Sequence, residues 1–533
     1  MYLDLEKWVK DLGKTGMDML SGIVKESQDI AFKTVLGENY KPKENEPEGK
    51  RKGRYSPFSD EPEDLSNIPK YLLKNKKRGF PFAETSSFPS RKLYLPKNDW
   101  VHLVAIGATG LGKTTWAENY VVNCPHGCAF IDNADGNAIN NILRALPKER
   151  LEKTVVLDHS DKHYPLGVGV VSEVQDVFES DMITSQWVDF FIYGFDIGDK
   201  FRTQELIANA CKTVFSVKNA TVLDAVRVVT DSSFRNYALS NLNREMYGDV
   251  LDFWDRFDNM SSKQQAQHSQ AFLHRAGVVF RDTYLKLTLG QIPKKKLDYK
   301  KWMNEGWTIL IKIPEDELDK QEVRIIASLH IIGMWDGAMS RKKDSPNIPP
   351  LFTIVADEPQ NWLSKNAQTL DNIFSKARKY GLKFMPLFQS TEQVRQESSE
   401  LLKIIFDNQP DVISFSETEI PKFRRVNWKD VDEFNFVGSF RNSELFKAKA
   451  MKPAEPKRDW KAVGEIFKKN RDMYNRYYKE VNREIKGRLR KWEDSQNIKE
   501  SQSEFAENGL IQKSNHESPK EMKTSSDSSI RID

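Results

Sequence analysis

Residues Gly107-Ala108-Thr109-Gly110-Leu111-Gly112-Lys113-Thr114 fit the pattern G-x-x-x-x-G-K-[ST], and Thr115 follows directly. Each residue type has a physical purpose. Glycines let a loop wrap so that its backbone N–H groups converge on phosphate oxygens. A helix starting at the loop adds its positive end. Lys113 reaches the outer phosphates as a point charge, and the Thr114 hydroxyl faces a magnesium ion. The chemistry implied is the binding of ATP with Mg2+ by Gly107–Thr115.

Such a loop needs an acidic partner strand, and LFTIVADE (351–358) supplies one. Asp357 is expected to hold the magnesium shell together with Thr114. Glu358 is expected to orient or deprotonate the attacking water. A switch that only binds nucleotide has no need of Glu358, so the pair points to hydrolysis. In KARKYGLKFMPLFQ (376–389), Gln389 closes a strand predicted to lie beside the Asp357 strand, where its amide can sense the terminal phosphate. Arg378 precedes that strand, where a helix ends. A guanidinium there can face the phosphate of a neighbouring subunit.

These groups must be held by a scaffold, and the chain alternates strand and helix around them. VHLVAIG feeds the glycine loop, TTWAENYVVN reads as helix, CAFID as a strand, GNAINNILRAL as helix and TVVLDHS as a strand. This alternation predicts a mostly parallel sheet covered by helices. The expected class is α/β, with a phosphate-loop core. That core is split into 91–175 and 301–455 by an all-helical insertion at 176–300. Residues 1–40 read as an amphipathic helical segment and 41–90 as a flexible charged linker. Residues 456–495 read as a charged helix and 496–533 as a disordered tail. IPKKKLDYKKW (292–302) is a local basic cluster able to meet phosphates.

Composition narrows the classes. The 533 residues are 39% hydrophobic and 30% charged, with a net charge of only +4, so any nucleic-acid contact must come from local clusters. Three cysteines in a chain this long argue against a disulfide scaffold and fit a reducing cytoplasm. Cys124 and Cys128 flank His126 in CPHGC, but no second ligand pair is near in sequence, and the segment reads as a turn into a buried strand. No apolar run spans a bilayer and the N-terminus is no signal peptide. The expected location is the cytoplasm, with any membrane contact peripheral and made through partners.

The series HLVAIGATGLGKTT, ADE, RKYGL and FQ, with a helical insertion between the two strand groups, resembles the hexameric motors of the HerA/FtsK superfamily. Within it the likeness is nearest to the coupling ATPases of conjugative type IV secretion. DGNAINNILRALPKERLEKTVVLDHSDKHYPLG, TVLDAVRVVTDSSFR and DNQPDVISFS add to it, and it covers about Leu93 to Ala450. The resemblance implies a RecA-like P-loop NTPase core and a homo-hexameric ring with ATP between adjacent subunits. Gly107–Thr115 would bind it, Asp357 and Glu358 would cut it, Gln389 would report its state and Arg378 would reach across in trans. DNA would pass through the pore, and secretion-machine or relaxosome-type proteins would be partners. The chain departs from the coupling proteins in showing no N-terminal membrane helices. Nor does it show the β-barrel of the archaeal end-processing relatives. Two alternatives stay open: an ATPase that energises protein export or channel assembly, and a non-motor nucleotide-dependent scaffold.

Overall fold

The apolar runs become strands of one sheet. The computed structural model describes residues 65–169, 177–195, 197, 201–343, 347–363, 367–441 and 443–488. The expected helical segment at 1–40 and the expected tail at 496–533 lie outside them. Eleven strands form among the described residues. They are β1 (Gly79–Thr85), β2 (Lys92–Pro96), β3 (Leu103–Ile106), β4 (Gly127–Asp132), β5 (Thr154–Asp158) and β6 (Thr308–Lys312), followed by β7 (Phe352–Asp357), β8 (Leu382–Phe388), β9 (Asp411–Ser414), β10 (Asn435–Ser439) and β11 (Phe446–Lys449).

They pair in the order β2-β1-β11-β10-β9-β3-β8-β7-β4-β6-β5. From β9 to β5 every pairing is parallel. Every residue of β3, β4, β7, β8 and β9 is buried, as strands covered on both faces must be. Alternation along β3 sends Val104 and Ile106 to one face and Leu103 and Ala105 to the other. On the first face lies the long helix Lys320–Lys343 with residues of the insertion. On the second, helices Lys113–Asn123 and Asn137–Ala145 contribute Trp116, Tyr120, Ile139 and Leu143. Each fully buried aliphatic or aromatic side chain contributes about 1.5–3 kcal/mol, and it is this two-sided burial that makes the strand ends rigid.

Between β5 and β6 the described residues contain helices and no strand, from Val177–Asp189 to Tyr299–Asn304. Two of these helices begin with capping boxes, Thr221 with Asp224 and Ser261 with Gln264. The mostly parallel α/β sheet and the strand-free insertion both agree with the sequence reading.

Two segments differ from it. The last part of the expected linker at 41–90 is structured: Lys70–Lys74 is a helix and Gly79–Thr85 is β1. Phe80 and Phe82 supply buried anchors that a composition rich in Lys, Glu and Pro conceals. β1 pairs antiparallel with β2 and β11, so it extends the sheet. The charged C-terminal helix is broken in two, Trp460–Tyr474 and 478–488. The break seals the free edge of β5. Asn470 Oδ1 accepts the Val156 N–H at 3.1 Å, and Asn475 Nδ2 donates to Asp158 O at 3.2 Å and to Tyr164 O at 2.7 Å. Beyond the break, Val481 and Ile485 pack with Leu287 of the insertion, and Arg488 pairs with Asp224 at 3.4 Å. The arm therefore holds the sheet edge and the insertion together.

Candidate nucleotide site

The loop after β3 is shaped by close contacts. Gly107 N–H donates to Phe388 O at 3.0 Å, which keeps the loop in register with β8. A Cβ at Gly107 would come within 2.7 Å of the Phe415 Cβ, so only glycine fits. Gly110 and Gly112 have φ of 87° and 96°, in the left-handed region that favours glycine. Ala108, Thr109 and Gly110 are exposed, Leu111 is half-buried, and Ala108 N–H donates to Ser416 Oγ at 3.3 Å. Helix Lys113–Asn123 then starts, with Lys113 buried and Thr114 and Thr115 half-buried at its first turn.

Five of the predicted side chains meet here. Thr114 Oγ1 donates to Asp357 Oδ2 at 2.9 Å. Lys113 Nζ lies 3.9 Å from Asp357 Oδ1 and 3.6 Å from Glu358 Oε1. Gln389 Nε2 donates to Glu358 Oε1 at 2.8 Å. Strand register explains the convergence, because β3, β8 and β7 are parallel neighbours and end at one edge of the sheet. Glu358 sits just past β7 with φ of 48°, while its N–H still donates to Leu387 O at 3.0 Å. A left-handed glutamate costs about 1–2 kcal/mol and is held there by its neighbours.

Arg378 lies elsewhere. It is exposed in the turn Ala377–Tyr380, at the opposite end of β8 from Gln389, and lines a hollow with Asp99, His102 and Arg441. The length of β8, about 20 Å, separates it from its own glycine loop. Within one protomer it is not part of the cluster.

Other groups at the site were not singled out from sequence. Asp132 ends β4 and is in register with Asp357. Burial and the Asp357 charge push its carboxyl up to about 6. Its Oδ2 and the Asp357 Oδ1 are both buried without a hydrogen-bond partner. Burial also raises the Asp357 carboxyl, and Lys113 and the Thr114 hydroxyl pull it part of the way back. Glu118, on the helix after the loop, accepts from Asn141 Nδ2 at 3.0 Å and is pushed by burial up to about 7. Ser416, just past β9, and Phe434, in the turn before β10, touch the loop. The acid ending the strand CAFID was the available signal for Asp132; nothing local marks the others.

The cysteine segment packs in the core. Cys124 and Cys128 are buried free thiols beside Arg150, and His126 Nε2 is hydrogen-bonded to Thr353 Oγ1 at 2.9 Å. The basic cluster at 292–302 is partly used within the chain: Lys294 Nζ donates to Asp472 O, and Lys295 Nζ lies 5.4 Å above the Tyr474 ring. Among the described residues, no helix is long and apolar enough to cross a membrane.

No protein-family model matches the chain, and no curated protein sequence does. Solved structures do match. The bacterial conjugative coupling protein TrwBdeltaN70, in an unbound form, aligns with a TM-score of 0.51 at 12% identity, over 74% of this chain and 95% of that one. Plasmid coupling protein TrwB in complex with the non-hydrolysable GTP analogue GDPNP aligns with a TM-score of 0.51 at 12% identity, over 75% and 95%. TrwB in complex with ADP and Mg2+ aligns with a TM-score of 0.50 at 12% identity, over 76% and 98%. At this identity the likeness is one of architecture. The chain has the RecA-like P-loop fold of the conjugative coupling proteins.

Proposed function

We propose that the chain is an ATP-hydrolysing ring motor that moves DNA in conjugative or mobile-element transfer. The observation that carries the reading is the convergence of Lys113, Thr114, Asp357, Glu358 and Gln389 at one edge of the sheet. The shared fold with coupling proteins supports the choice of DNA as the polymer.

In this reading the amides of Gly107–Thr115 hold the phosphates and Lys113 leaves its acidic partners to meet the outer ones. Thr114 and Asp357 would hold Mg2+. The donor set fits a hard cation: a hydroxyl and a carboxylate 2.9 Å apart, with the second carboxylate oxygen buried without a hydrogen-bond partner and 3.9 Å from Lys113 Nζ. When bound, Mg2+ neutralises charge on the phosphate oxygens. Glu358 takes a proton from the attacking water, and Gln389 holds the Glu358 carboxylate by its amide. Arg378, remote from its own loop, stabilises charge on the neighbouring protomer's nucleotide. Residues 91–175 and 301–455 act as the motor core, and 176–300 is an accessory helical domain.

The test is ATP turnover of the full chain with and without duplex or single-stranded DNA, with DNA binding measured across salt. DNA-stimulated turnover, salt-sensitive binding and ring particles with nucleotide support the motor. Turnover indifferent to DNA but raised by secretion-channel proteins would favour the export reading instead.

A further inference from the structure

We propose that Phe434 is the stacking platform for the nucleobase. The inference rests on the nucleotide reading above and deepens it. Phe434 is one of few large hydrophobic side chains left exposed among the described residues, at 46%. Its φ is 62°, a region that bulky residues avoid. The backbone that imposes this is firmly built. Asn435 Nδ2 donates to Asp432 O and Glu433 O, both at 3.3 Å, and Asn435 Oδ1 accepts from Ser86 Oγ at 3.0 Å. Phe434 O accepts the Ala450 N–H at 2.8 Å. An exposed ring held by a strained turn that hydrogen bonds on both sides pin in place points to a position kept for contact rather than for packing.

The ring lies against the phosphate loop: a Cβ at Gly112 would sit 2.8 Å from Phe434 Cδ1. Its side of the loop decides its partner. In the sheet, β8 and β7, with Gln389, Asp357 and Glu358 at their ends, flank β3 on one side. β9 and β10 flank it on the other, and β10 runs antiparallel to β9, so Phe434 at its start is at the loop edge. At about 4.8 Å per strand the start of β10 lies about 10 Å across from β3, on the side away from the carboxylates. A nucleotide whose terminal phosphate meets Glu358 must extend its base toward the other flank, where this aromatic face is offered. A planar base stacks on such a face whatever its edge pattern.

The experiment compares ADP with pyrophosphate, each with Mg2+, by calorimetry on the full chain. Phe434→Ala is expected to weaken ADP about ten-fold and leave pyrophosphate unchanged. Phe434→Trp is expected to restore ADP binding, which separates loss of the ring from loss of the turn. Unchanged ADP affinity in Phe434→Ala overturns the proposal. So does an equal loss of ADP and pyrophosphate, which would make the ring a support for the loop. Wild-type protein that binds neither ligand overturns the nucleotide reading itself, and the two failures are thereby distinct.

Discussion

Asp132 and Asp357 end neighbouring parallel strands in register, and each keeps a buried carboxylate oxygen with no hydrogen-bond partner. Two acids so placed repel each other, and Lys113 Nζ offsets the Asp357 charge from 3.9 Å. The Asp132 carboxyl titrates at about 6 against an ordinary 3.8, so between these values the folded state binds more protons than the unfolded one. This group's contribution is therefore greatest below pH 4 and is lost as pH rises through about 6, a change of about 3 kcal/mol. Asp132→Asn is expected to stabilise the nucleotide-free protein at pH 7.5 and to change it little at pH 4.5, in thermal melts at each pH. A shift of equal size at both would contradict this.

Lys113→Ala is expected to lower affinity for Mg2+-nucleotide at least a hundred-fold. It removes the cation that lies between Asp357 and Glu358, at 3.9 and 3.6 Å. Calorimetric titration reads the loss directly, and unchanged affinity would contradict the loop assignment.

Glu358→Gln should bind ATP and fail to cut it, with kcat down about 10²–10⁴-fold. Gln389→Ala should lower kcat while leaving nucleotide affinity unchanged, because its amide touches Glu358 at 2.8 Å and not the loop. Single-turnover hydrolysis beside equilibrium binding separates the two effects. A Glu358→Gln protein with ordinary turnover would remove this residue from the chemistry.

Arg378→Ala and Lys113→Ala, each inactive alone, are expected to recover part of the ATPase rate when mixed. The distance along β8 allows Arg378 no part in its own protomer's cluster. Steady-state rates over a range of mixing ratios test this, and the absence of recovery at every ratio would argue against a shared site.

Asn470→Leu should destabilise the fold by about 1–3 kcal/mol, since it leaves the Val156 N–H without its acceptor at the sheet edge. Amide exchange at Val156 is expected to rise with it. A variant with unaltered exchange there would assign the edge another protector.

The sequence displays what is contiguous and conceals what is assembled. The glycine loop, Asp357 with Glu358, and Gln389 are legible because each ends an apolar strand of its own, and parallel strands ending together need no further information. Asp132 is not legible because its place beside Asp357 comes from pairing between strands far apart in sequence. β1 reads as linker because Phe80 and Phe82 are set among charged and proline residues. Phe434 carries no local mark, since its position depends on β10 reversing beside β9. The basic run at 292–302 shows the same limit: two of its lysines, Lys294 and Lys295, meet Asp472 O and the Tyr474 ring of a helix distant in sequence.

β8 is buried along its whole length and carries Gln389 just past one end and Arg378 just before the other. A strand locked between β3 and β7 cannot stretch or bend by itself. In a ring, it would work as a push-rod between consecutive chambers: a shift of the amide as one triphosphate is spent would move the guanidinium seated in the next. Firing order around the circle would then be a mechanical property of a single rigid strand, with no loop required to carry the message.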